Sequence, residues 1–159
     1  MFISHRGSND TITKAEVEYA LEWYIKRLIG PHLAARLSVN IVHRNLDEKG
    51  DKGSVIAHFE NDYKHPRRFL LEISTILKKA PVLRVLAHES VHIKQYVYGE
   101  LWDHNSPELV GMTFWKKRNI NEKDYKKYRE RPWEKEAYRV EKSLYAAYKR
   151  HKEKEKLIF

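Results

Sequence analysis

His88-Glu89-Ser90-Val91-His92 is the stretch of this sequence best equipped for chemistry. Histidines four residues apart on a helix lie one turn from each other, so both imidazoles leave the same face. Their nitrogens can then reach one ion at about 2.0–2.1 Å each, the distance zinc takes to imidazole. Glu89 follows His88 directly, which sets its carboxylate beside such an ion rather than on it. A carboxylate in that place can hold a water molecule and take its proton, as metal-dependent hydrolysis requires. Either histidine alone would read as an ordinary residue of a half-buried helix.

A catalytic zinc site takes three protein ligands and keeps one position open. The chain has no cysteine, so the third ligand must be another histidine or a carboxylate. Pro132-Trp133-Glu134-Lys135-Glu136-Ala137 opens a later helical stretch and offers two glutamates. On a helix Glu134 and Glu136 stand about 200° apart, so only one can face a given ion. Spacing does not choose between them.

With Gln95 beside the first motif and the 132–137 stretch after it, the chain resembles the gluzincin zinc metallopeptidases. The closer likeness is to the small single-domain phage and bacterial members, the minigluzincins, over roughly residues 68–141. The resemblance implies a zincin-like fold, a bound Zn²⁺, a peptide or protein substrate and Glu89 as general base. In that family the third ligand is the Glu of a Glu-x-x-Ala or Glu-x-x-Ser pattern. That pattern falls on Glu134, with Glu136 as the alternative. Larger gluzincins place an Asp shortly after the ligand Glu to support a zinc-binding histidine. Tyr138 stands there in this chain, so support is expected from elsewhere, for instance a backbone carbonyl. In zincins an edge strand ahead of the metal helix captures the substrate backbone, a role that falls on Phe69, Leu70 and Leu71. Tyr138 and His104, with Tyr125, Tyr128 and Arg139, are the candidate donors to a developing oxyanion.

Positioning these residues needs an α+β fold. Thr13 and Glu16 form a capping box, Val17, Ala20, Leu21, Tyr24 and Leu28 follow at helical spacing, and Gly30-Pro31 stops the run. A helix over 13–29 is expected. Alternating, β-branched runs at 37–43, 54–59 and 68–73 predict strands, with a polar loop at 45–53 and a turn at 62–66. Short connections suggest a small antiparallel sheet of about three strands packed on the helices. Pro81 suits the first turn of the metal helix, Val82, Val85, Leu86, Ile93, Tyr96 and Val97 mark its buried side, and Gly99 ends it. Residues 112–115 suit a short strand, and 116–131 either loop or helix. The last helix starts at Pro132 and buries Trp133, Ala137, Val140, Leu144 and Ala147. Residues 1–12 read as a loose lead-in and the charged end beyond 150 as fraying. Neither repeats nor a linker interrupt the chain, so one domain over 1–159 is expected.

Hydrophobic residues make up 42% of 159, enough for one core and too many for wholesale disorder. Lys and Arg outnumber Asp and Glu by 31 to 22, a formal charge of +9. That excess favours acidic partners and supports a competing reading, a basic nucleic-acid-binding or interaction protein. In that reading Phe114, Trp115, Tyr125 and Tyr128, interleaved with the basic 116–131 segment, would stack bases. A third reading keeps the fold and the metal but not the activity. No apolar run approaches the roughly 18 residues that span a bilayer, and the first residues lack the apolar core of a secretory signal. A cytoplasmic protein is therefore expected, in the host cytoplasm if a phage encodes it.

Overall fold

The computed structural model describes residues 1–46, 50–58, 65–103, 108 and 110–158. Its elements run β1 (Phe2–Arg6), α1 (Lys14–Ile29), α2 (Pro31–Ala34), β2 (Ser38–Arg44), β3 (Gly53–His58) and β4 (Arg68–Ser74). Then follow α3 (Lys79–Val97), β5 (Leu101–Asp103), β6 (Met112–Trp115), β7 (Arg118–Asn121) and α4 (Pro132–Ile158). This is an α+β protein with a mixed four-stranded sheet, a three-stranded antiparallel sheet and, among the described residues, four α-helices.

The larger sheet departs from the expected antiparallel trio. Its order is β1-β2-β4-β3, with β1, β2 and β4 parallel and only β3 antiparallel, to β4. The lead-in is not loose, because Phe2–Arg6 forms the edge strand β1 beside β2. Parallel neighbours need a long return, and α1 supplies it between β1 and β2. Asn9 fastens the start of that return by donating to the carbonyls of Thr75 and Leu77 at 3.2 and 2.8 Å. Strand β4, with Phe69, Leu71 and Ile73 buried, sits inside the sheet, and β3, whose Ile56 is 48% exposed, takes the rim. Val39 and Ile41 of β2 join those three on the face that α1 and α3 cover.

Helix α1 has the expected cap. Thr13 Oγ accepts from the Glu16 amide and the Glu16 carboxylate accepts from the Thr13 amide. Helix α3 ends in a Schellman motif around Gly99 at φ +66, in which Glu100 N–H reaches Gln95 O and Gly99 N–H reaches Tyr96 O. That stop turns the chain into the second sheet. Residues 112–115 form a strand as expected, and 116–131 resolve into strand β7 and two short 3₁₀ turns. The β6–β7 turn is Lys116-Lys117, both at positive φ, 43 and 70.

Helix α4 does not fray at its basic end but stays helical to Ile158. Tyr148 packs on Tyr24, His151 stacks on Trp23, and the Tyr19 hydroxyl donates to Glu155. The far end of α4 is therefore tied to α1, while its first turns lie against α3. The expected 62–66 turn and Phe59 lie largely outside the described residues.

Gly53, at the start of β3, sits directly under α3. A Cβ there would stand 2.4 Å from Val85 Cγ1 and 3.0 Å from the Glu72 carbonyl oxygen. Gly53→Ala should therefore cost about 1–3 kcal/mol by overpacking. Adding Val85→Ala should recover much of that loss in chemical denaturation. A single variant as stable as the parent would contradict this seating.

Candidate metal centre

Three side chains meet where α3 and α4 face each other. His88 Nε2 lies 3.1 Å from His92 Nε2. The Glu134 carboxylate spans both, with Oε2 at 3.2 Å from His88 Nε2 and Oε1 at 3.2 Å from His92 Nε2. Ligand atoms about 2.0–2.1 Å from a tetrahedral ion stand roughly 3.3–3.4 Å apart, so these separations suit a common cation. Among the described residues this His-His-Glu set is the group that could hold a metal ion.

The polar atoms fit that occupant. Glu134 is fully buried, and its Oε1 lies near His92 without a well-aligned hydrogen bond to any group. A buried carboxylate oxygen left in this state is costly, and a cation at the shared point would satisfy it. The two Nε2 atoms also point at each other, and a hydrogen bond between them would use only one proton. With two neutral imidazoles, one carboxylate and no thiolate, the donor set suits zinc and is open to other divalent ions.

Supporting contacts orient both rings. His88 Nδ1 is 3.0 Å from Glu141 Oε2, and His92 Nδ1 is 2.8 Å from Gln95 Oε1. Gln95 Nε2 donates to the Trp133 carbonyl at 3.0 Å and to Glu136 Oε2 at 2.8 Å. The expected backbone support for the histidines is thus replaced by side chains. Glu136 lies outside this group: it holds Gln95 and accepts from Lys116 at 2.9 Å. Sequence reasoning missed Glu141, although it follows Glu134 by two helical turns on the same face. It noticed Gln95 without its role, although Gln95 is three residues past His92.

The electrostatics follow from this geometry. Burial opposes the His88 imidazolium, but Glu134 and Glu141 outweigh it and hold the group up at about 9. Burial likewise opposes the Glu134 carboxylate, but His88, His92 and Tyr128 win and hold it down at about 2. Glu89 is buried beside the histidines, and burial pushes its carboxyl up while His92 and His88 pull it partly back.

A cleft of about 670 Å³ opens over these groups, walled by α3, by the first turns of α4 and by Gly53, Ser54 and Val55 of β3. Tyr138 lies in it with its ring 4.5 Å from that of His88. Tyr128 also lines it, close enough to Glu134 to stabilise the carboxylate. Tyr125 does not line it, Arg139 lines a neighbouring pocket, and His104 falls outside the described residues. Phe69, Leu70 and Leu71 cannot capture a substrate strand, since β4 is paired on both sides. The exposed edge beside the cleft is β3. Of the aromatics proposed to stack bases, Trp115 is buried near Trp133, Phe114 packs on Trp102 and Arg131 lies over Tyr128.

No described helix is long and apolar enough to cross a membrane. Comparison with models of known protein families, with curated proteins and with solved structures finds no match for this chain.

Because the metal-free His88 ring titrates near 9, it is protonated at neutral pH and must lose that proton to bind a cation. Zinc uptake near pH 7 should therefore release protons, and affinity should climb as pH rises toward 9. The sign for the metal-free fold is the reverse. A raised folded pKa contributes stability that is complete below the unfolded value of about 6.5 and is lost as pH rises through about 9. Calorimetry in buffers of different ionisation enthalpy, together with melts from pH 6 to 9, checks both, and uptake without proton release would refute the assignment. Glu141→Gln should weaken zinc binding about 10–100-fold.

Proposed function

We propose that this protein is a zinc-dependent hydrolase, and specifically a metallopeptidase of the gluzincin kind. The observation that carries the reading is the convergence of His88, His92 and Glu134 from two helices, with the buried Glu89 alongside, at the floor of an open cleft. A zinc ion held by those three residues would supply Lewis acidity, which lowers the pKa of water and polarises a carbonyl.

The chain's own residues supply the remaining functions. Glu89 has no competing role as a ligand, and burial lifts its carboxyl toward the working pH, which suits a general base. It takes a proton from the attacking water at its carboxylate and returns it to the leaving amine. Tyr128 lines the cleft with much of its surface exposed, and desolvation of the hydroxyl with the Glu134 charge keeps that hydroxyl protonated. It can therefore donate to the oxyanion that forms on the scissile carbonyl. Among the described residues no strand pairs the outer edge of β3, and that edge offers main-chain donors and acceptors to an extended peptide in place of β4. Gln95 and Glu141 hold the two imidazoles in orientation.

Metal analysis of the purified protein and cleavage of a quenched peptide library test the reading. Glu89→Gln should retain zinc and lose roughly 10²–10⁴ in turnover, whereas His88→Ala should lose both. Full hydrolysis by Glu89→Gln would remove the assigned base. Tyr128→Phe should keep zinc and lower kcat by about 10². A rise in KM with kcat unchanged would instead make Tyr128 a binding residue.

A further inference from the structure

The two ends of the cleft differ in chemistry. One end is lined by Tyr96, Leu101 and Trp133, and the other by Arg84, Arg129 and Lys142. Arg84 lies one turn before His88 on α3, with its guanidinium 5.3 Å from the Tyr145 ring of α4. Arg129 lies over the Tyr138 ring at 4.2 Å, and that ring in turn touches His88. A second pocket adjoins this end and shares Arg129, Tyr138 and Lys142 with the first, adding Lys135 and Arg139.

These five, with Lys52 beside β3, are the cations that line the two joined pockets. Among the described residues, none of the five pairs with a carboxylate. Of the acids that line the cleft, Glu134 is engaged between the imidazoles, Glu141 on His88, and Glu89 is buried, which leaves Asp51 beside β3. Lys135, Arg139 and Lys142 follow at i, i+4 and i+7, so they form one stripe along α4. Contact with the Tyr138 ring restrains the Arg129 guanidinium and leaves its N–H donors free for a planar anion.

We propose that this end of the cleft is a subsite for acidic side chains of a peptide substrate, recognised by Arg84, Arg129 and Lys142. The inference rests on the peptidase reading of the metal centre. A peptide fits better than a nucleic acid here. The adjacent β3 edge presents main-chain groups that an extended peptide matches, and the Tyr138 ring is engaged by His88 and Arg129 rather than open to stack a base. The opposite, aromatic end accepts an apolar residue from across the scissile bond.

The test uses short labelled peptides with an apolar centre and either Glu or Gln on one flank, prepared for each flank in turn. Fluorescence anisotropy measures their binding to the zinc-loaded Glu89→Gln protein. The Glu peptide of one flank should bind about tenfold tighter than its Gln counterpart, the sum of several partly exposed ion pairs. The preference should shrink in high salt. It should fall to about twofold when Arg84→Gln and Lys142→Gln are added, the remainder coming from Arg129, with circular dichroism, zinc content and affinity for the Gln peptide unchanged. Equal affinities for Glu and Gln peptides would overturn the subsite even if the unmodified protein cleaves both. A Glu preference without cleavage by the unmodified protein would keep the subsite and remove the hydrolase reading. A single-stranded oligonucleotide that competes more strongly than the Glu peptide would overturn the proposal in favour of nucleic acid.

Discussion

The carboxylate of Glu134, buried between two imidazoles, constrains the rest of the molecule. Taking an ionised carboxylate out of water costs several kcal/mol unless opposite charge and hydrogen-bond donors meet it. Here they come from His88 and His92 on α3, so α3 and α4 must lie side by side with a defined stagger. Two turns further on, Glu141 repeats the contact from α4 to the other nitrogen of His88. A slide of either helix would break both contacts together.

The small sheet belongs to the same arrangement. Lys116 sits in the tight β6–β7 turn and donates to Glu136, Glu136 accepts from Gln95, and Gln95 orients His92. The Schellman stop at Gly99 aims the chain so that Lys116 N–H can reach the Glu100 carbonyl. A surface hairpin is thereby joined, through three side chains, to the ring of a candidate ligand. Hydrogen-bonded chains of this kind restrict rotamers more than isolated pairs do.

Local signals were legible in the sequence and non-local ones were not. The capping box of α1, the Gly30-Pro31 stop, the helix bearing His88 and His92 and the start of α4 all depend on neighbours within a turn. Each stands where its residues indicate. Strand β1 was missed because an edge strand of five residues buries too little to show an apolar alternation. The sheet order was misread because short connections suggest neighbouring strands, whereas β4 separates β2 from β3. Strand β7 was hidden by its turn, where Lys116-Lys117 replaces the Asn-Gly or Asp-Gly usual at positive φ. Within the candidate site, the imidazole pair follows from helical spacing. Glu134 and Glu136 separate only once α3 is packed against them, which places one on the imidazoles and the other on Gln95.

The two halves of the candidate metal centre lie far apart along the polypeptide. His88 and Glu134 are separated by 46 positions, and the intervening stretch builds the three-stranded sheet. A nascent chain that has completed α3 but not α4 owns a pair of imidazoles and no anionic third donor, a weak chelator open to solvent. The third donor arrives only when α4 docks on α3, so any cation held by all three side chains would couple its binding to that docking.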